Sequence, residues 1–278
     1  MQIYQRKNRA FIKVEGEDAE KFLNNLLSQN LKLCQQNPQQ AFLSCLLNQK
    51  GGVEAYFWVS LSEGGFCLDM HTTMVDNVIN ILNQYKLRMK VAFKAMPEQH
   101  SYFAFKPLST SIDCIEHQIK VNQLVLYKYE IASSKEDDLL KSIEYMSDDL
   151  WNIYRIAQIW PKWQQDVEPG MLVLQSDFLK QGVALDKGCY LGQETVARVH
   201  ARGERVARKL LSLKAPLNSL QVGNTLYKSN EDKVIGSVSS VGHDQVKQED
   251  WALAMIDRAA LAEERLISNT SVEVKIVQ

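Results

Sequence analysis

The sequence predicts an α+β protein of more than one domain, closed at its C-terminal end by a smaller all-β domain. Three observations carry this. At 278 residues the chain exceeds what one core usually organises. Strand, helix and hairpin patterns alternate through its first half. Residues 204–278 then hold only short alternating runs separated by turns.

Taken in order, Phe11-Ile12-Lys13-Val14 reads as a strand delivered into a turn at Gly16. Asp18 and Glu20 open a helix whose apolar stripe is Phe22, Leu23, Leu26 and Leu27. AFLSCLLNQKGGVEAYFWVS places two apolar runs about Asn48-Gln49-Lys50-Gly51-Gly52, which predicts an antiparallel hairpin. Thr72 or Thr73 is the expected N-cap of a second helix carrying Val75, Val78, Ile79 and Leu82, followed by the strand-like KVAFKAM. After LVLYKYEIA the polar run SSKEDD reads as a loop. Ser147 caps a third helix over SDDLWNIYRIAQIW, with Trp151 and Arg155 on one face. The runs RKLLSL, NTLYK, KVIGSVSSVG, WALAMI and SVEVKIV predict a small barrel or sandwich.

Composition narrows the function. Lys plus Arg total 32 against 33 acids, so no whole-molecule field attracts nucleic acid, and direct nucleic-acid binding is not expected. No apolar run reaches the roughly 20 residues of a membrane helix, and charges interrupt MQIYQRKNRAFIKV where an export signal needs an apolar core. A cytoplasmic protein is expected. The five cysteines, Cys34, Cys45, Cys67, Cys114 and Cys189, include no C-x-x-C pair, so no stably bound metal is expected and most should be buried thiols.

Residues 187–203, KGCYLGQETVARVHARG, hold the densest chemistry. Cys189 lies in a glycine-bracketed loop just ahead of a helix expected from Gln193 to Val199. Helix N–H groups and the Lys187 ammonium would both favour a thiolate there. The other reading is a tight turn in which the glycines supply positive φ and Cys189 packs as a small hydrophobe. Downstream, Arg198, His200, Arg202, Arg205, Arg208 and Lys209 could hold a phosphate, a carboxylate tail or an RNA backbone, or could form a solvated face with Glu204.

K-G-C-Y-x-G-Q-E followed by an arginine resembles the hallmark of the YgfZ branch of the GcvT-like folate-binding superfamily. Val14 to Leu23 is similar to that superfamily's V-x-G-x-D-A-x-x-F-L, and Leu46 to Gly51 to its hairpin. The resemblance implies a ring of two intertwined α+β domains around a central channel, plus a C-terminal β-barrel. Domain A would span 1–45 and 146–203, domain B 46–145, and the barrel 204–278.

It further implies tetrahydrofolate or a derivative as cofactor, bound through Gln175, Tyr190, Gln193, Glu194, Arg198, Trp151 and Arg155. On composition alone, a core position on its helix face is the first reading of Trp151, ahead of the ligand contact. Cys189 and Lys187 would carry the chemistry. The implied function is assistance to iron–sulfur cluster assembly or repair in client enzymes, including those of tRNA thiomodification, with those clients or assembly factors as partners.

The superfamily's aminomethyltransferases carry paired aspartates where Ala55 and Tyr56 stand here, which disfavours an aminomethyl transferase. An RNA-binding accessory protein is the remaining alternative. Leu174 stands where the family usually has proline and Asp177 where it has asparagine. R-x-x-G-x-P is altered to Arg155 through Pro161, with Gln158 for glycine and one extra residue.

Overall fold

The computed structural model describes residues 2–96, 99–108, 114–122, 124–132, 143–228, 233–263 and 265–277. The loop expected over SSKEDD, 133–138, lies outside the described residues. The chain divides into two compact units, Met1–Met146 with Gln181–Thr195, and Ser147–Lys180 with Val196–Gln278.

The first unit runs β1 (Gln2–Arg6), β2 (Arg9–Glu15), α1 (Ala19–Leu26), α2 (Lys32–Gln36), β3 (Phe42–Leu47), β4 (Val53–Ser62) and β5 (Gly65–His71). It continues with α3 (Val75–Lys86), β6 (Ala92–Ala95), β7 (Gln99–Ala104), β8 (Ile115–Val121), β9 (Leu124–Ala132) and β10 (Glu144–Tyr145). These strands form two five-stranded sheets, ordered β3-β4-β5-β2-β6 and β10-β1-β7-β9-β8.

The expected apolar stripe of α1 is observed: Phe22, Leu23 and Leu26 are buried together with Ala19. Gly16 makes the entry to α1 possible. Its φ is +125°, and a Cβ there would lie 2.2 Å from the Lys90 carbonyl oxygen. The predicted hairpin is β3–β4, with Asn48 Oδ1 accepting the N–H groups of Lys50 at 2.9 Å and Gly52 at 3.0 Å. One boundary differs from expectation. A 3-10 turn, Thr72–Met74, precedes α3, and its cap is His71, whose Nδ1 accepts the Thr73 N–H.

A buried charge node joins the two sheets of this unit. The carboxylate of Asp69 on β5 accepts from Arg6 of β1 at 2.5 Å, Arg9 of β2 at 2.9 Å and Lys128 of β9 at 3.1 Å. Lys128 also contacts Glu130, and Arg6 donates to Ser101 Oγ at 2.8 Å. Burial opposes ionisation of Asp69, but the three cations overcome it and hold the carboxyl far below the usual range. Such a group costs desolvation to assemble, yet removing one partner leaves uncompensated buried charge, a loss of about 3–5 kcal/mol.

The second unit holds α4 (Asp148–Ala157) and α5 (Asp177–Lys180), and α6 (Gln193–Ala201) passes into it from the first. Then β11 (Arg208–Pro216), β12 (Thr225–Lys228), β13 (Val234–Asp244), β14 (Glu249–Asp257), β15 (Arg265–Ser268) and β16 (Glu273–Val277) close into a barrel ordered β11-β14-β13-β12-β15-β16. Closure leaves no exposed sheet edge, and Leu213, Leu226, Ala252, Leu266 and Val274 fill the interior.

Ser147 caps α4 as expected, its Oγ accepting the Leu150 N–H at 3.2 Å. The helix ends at Ala157 and does not continue to Trp160, because Ile159 adopts φ +53° and Pro161 follows. Asp166 fastens this segment to the barrel. Its Oδ2 accepts from Arg155 at 2.9 Å, and its Oδ1 from Ser239 at 2.5 Å and Ser240 at 2.6 Å.

His117 on β8 faces Lys128 across the strand pair, and burial, aided by Lys128, lowers its pKa to about 3. The folded state therefore keeps a neutral imidazole while the unfolded chain takes up a proton below about pH 6.5. Stability should fall as pH drops from about 6.5, by at most about 1.4 kcal/mol per pH unit, and fall further below about pH 4 as the unfolded Asp69 protonates. Urea unfolding of His117→Gln should lose about 1.6 kcal/mol less stability than the parent between pH 6.5 and 5. Equal slopes would refute the assignment.

Candidate functional site

The motif loop belongs to the first unit, and its lysine holds it in place. Lys187 Nζ donates to the backbone carbonyls of Asn24 at 2.7 Å, Leu27 at 2.8 Å and Gln29 at 2.8 Å. These lie at and just beyond the C-terminus of α1, where a helix leaves carbonyls without intrahelical partners and favours a cation. Lys187 is thus a helix cap supplied from far along the chain. Burial lowers its pKa to about 8, while three accepting carbonyls match the three N–H groups of the ammonium form. No N–H of that ammonium is left for the Cys189 sulfur.

Glycine locks the other end of the loop. Gly192 has φ +81°, and a Cβ there would lie 2.4 Å from the Asn48 carbonyl oxygen in the β3–β4 turn. Between these anchors Tyr190 turns inward. Its ring lies 5.2 Å from Lys187 Nζ, and burial, with Cys45 nearby, pushes its hydroxyl up to about 12. Tyr190 Oη is buried without a hydrogen-bond partner among the described residues. Gln193 Nε2 reaches the Lys187 carbonyl at 3.4 Å, and Glu194 is exposed.

Cys189 is more exposed than Tyr190, although both line one cavity. Of the five cysteines, three are buried, Cys114 is partly buried, and Cys189 is exposed. It lines a cavity of about 480 Å³ with Phe22, Asn25, Leu26, Tyr85, Met89 and Leu191, a volume in the range of ligand sites. The loop is a tight turn in which Gly192, and not Gly188, takes positive φ, and Cys189 is exposed where the second reading packs it as a small hydrophobe. The helix begins at Gln193, four residues beyond the sulfur.

Leu87, between the lining residues Tyr85 and Met89, is 87% exposed with φ +46° and ψ −118°, a conformation that costs a leucine about 1–2 kcal/mol.

The remaining residues implied by the resemblance lie in the second unit. Trp151 is buried edge-on against Trp160, with ring centroids 5.5 Å apart, and Trp160 stacks on Phe178. Arg155 is buried on Asp166 and also donates to Asn152 at 2.9 Å. Gln175 Oε1 accepts the Leu172 N–H at 3.1 Å, leaving its amide N–H groups as donors for a ligand. Arg198 is exposed. Trp151 and Arg155, two of the folate contacts that the resemblance implies, are engaged in packing and ion pairing. Ala55 is buried on β4 and offers no carboxylate.

Sequence reasoning did not single out Tyr85, Met89 or Asn25. They carry no motif, and only the placement of α1 and α3 brings them to the loop. Among the described residues no cluster of three His, Cys, Asp or Glu side chains is placed to hold a metal ion, and no helix is long and apolar enough to cross a membrane.

Aligned with solved structures, the chain superposes over its full length on the glycine cleavage system aminomethyltransferase T of Bartonella henselae, covering 85% of that chain with a TM-score of 0.82 at 15% identity. The fold is that of an aminomethyltransferase T. No family model matches the sequence. Among curated proteins it is similar to the mitochondrial iron-sulfur cluster assembly factor IBA57 of Mus musculus, 28% identical over 236 residues, 75% of this chain and 65% of that protein. It is similar as well to the IBA57 of Homo sapiens, 27% identical over 227 residues, 73% of this chain and 63% of that protein. An uncharacterized protein of Haemophilus influenzae is 25% identical over 198 residues, 69% of this chain and 66% of that protein. The chain spans 65%, 54% and 62% of the lengths of three IBA57 relatives.

Replacing Lys187 by methionine should cost about 2–3 kcal/mol, since a charge-assisted cap is lost and carbonyls are left unpaired. Chemical denaturation measures this, and a loss below 0.5 kcal/mol, the usual range of a surface change, would sink the capping role. Leu87→Gly should instead stabilise the chain by about 1 kcal/mol by relieving the positive φ. An unchanged melting temperature would show that no strain is stored there.

Proposed function

We propose that this chain assists iron–sulfur cluster assembly or repair in client enzymes, as a YgfZ-type protein, with Cys189 as the working thiol. The observation that carries the reading is the placement of that sulfur: it is the exposed thiol among five, beside an apolar cavity, on a loop anchored at both ends. Similarity to proteins named as iron-sulfur cluster assembly factors supports it.

A single accessible thiol suits transfer better than storage. A cluster needs several thiolates, and Cys189 supplies one, so the others come from the client, an assembly factor or small thiols. Binding deprotonates the Cys189 thiol, and exchange of that one ligand for a client cysteine releases the cluster. The anchored loop keeps the sulfur at the surface while Lys187 and Tyr190 stay inside.

Tetrahydrofolate or a derivative is part of the reading through the family resemblance and the fold, with Gln175 as the residue whose free amide could pair with a pterin edge. Bound there, it would supply a one-carbon carrier. The chain's own contribution is the carboxamide donor, held in orientation by the Leu172 N–H. Alanine and tyrosine at positions 55 and 56 leave aminomethyl transfer without its carboxylate. Enzymes of tRNA thiomodification are the proposed clients.

Cys189→Ala should fold with stability within about 0.5 kcal/mol of the parent, because the side chain is exposed. In cells lacking the parent gene it should fail to restore iron–sulfur enzyme activities. Full restoration by the alanine variant would end the proposal.

A further inference from the structure

The cations that follow the motif do not form one uniform face. His200 Nδ1 meets Glu204 at 2.7 Å, Arg208 Nε meets Asp257 at 3.0 Å, and Lys209 Nζ meets Asp177 at 2.9 Å. Arg205 is placed differently. It lines a cavity of about 290 Å³ in the second unit together with Arg258, which lies in the 3-10 turn Arg258–Ala260 after β14. The two residues are more than fifty positions apart, and the Arg258 N–H, donated to the Ala207 carbonyl at 2.8 Å, ties their segments together.

The charges around this cavity leave a surplus. Its one acid, Glu204, is already held by Lys180 at 2.6 Å and by His200, and the Lys180 ammonium keeps its carboxyl below the usual range. Lys209, also on the wall, is offset by Asp177. Neither Arg205 nor Arg258 has an acidic partner among the described residues. Two exposed arginines therefore line one hollow without an acidic partner among the described residues. A guanidinium presents a planar fork of N–H donors that matches phosphate and carboxylate oxygens, so two of them on one small cavity select an anion of two charges. The other walls are apolar: Leu174, Val206 and Leu261.

We propose that Arg205 and Arg258 form a binding site for a compact dianion, a phosphate group or a pair of neighbouring carboxylates, whose apolar stem rests on Leu174, Val206 and Leu261. The site is separate from Cys189 and does not depend on the cluster-assembly reading. The volume excludes a nucleic-acid duplex and leaves room for a short linker beside the charged group.

Isothermal titration of the full chain with inorganic phosphate, and separately with γ-glutamylglutamate, tests this. At least one probe should bind saturably at one site. Which one binds tighter separates a phosphate source from a polycarboxylate source. Arg205→Gln and Arg258→Gln should each weaken that binding about ten-fold or more, while Arg202→Gln, exposed outside the cavity, should leave it unchanged. Should a glutamine variant unfold, Arg205→Lys keeps the charge, drops the fork, and should still weaken binding. The proposal fails if neither probe binds, if Arg205 and Arg258 variants bind as the parent does, or if Arg202→Gln weakens binding equally.

Discussion

The first unit depends on one carboxylate. Asp69 receives three cations from three strands of two sheets, so one buried carboxylate ties the two sheets together. Three cations and two acids leave a unit of positive charge inside, and aromatic rings share it: the Arg6 guanidinium lies 4.2 Å from the Phe103 ring centroid and Lys128 Nζ 5.8 Å from that of Phe11. Apolar packing would hold two sheets together more cheaply. What a charged node adds is directionality, since it is satisfied in one arrangement only.

Asp166 does the same in the second unit, where one carboxylate accepts an arginine, a backbone N–H and two serine hydroxyls. This fixes α4 on the barrel and engages the arginine that a family comparison would give to a ligand. In both units, residues that look functional by type are structural by placement. The thiol is the converse case: chemically small, excluded from the core, and held out by a loop anchored through Lys187 and Gly192.

How much of this was legible in the sequence follows from what leaves a pattern. Elements with one buried face, α1, the β3–β4 hairpin, α3, α4 and the barrel strands, showed their periodicity directly. The second sheet did not. β8 reads IEHQIKV, and its partner β9 buries Lys128 and Glu130, so charged residues stand where the alternation rule expects apolar ones. Cys189 was legible because loop glycines and a cysteine are rare together. The true role of Lys187 was not, since its partners are backbone carbonyls, which every residue has. Arg258 was equally hidden, because only the turn after β14 brings it to Arg205.

The carbonyl cage at Lys187 carries one more consequence. A primary ammonium can serve three acceptors; an acylated amine has a single N–H to offer. Losing any of these N–H groups would leave a carbonyl at the end of α1 without its donor, so the helix terminus and the turn that carries the sulfur share one point of attachment.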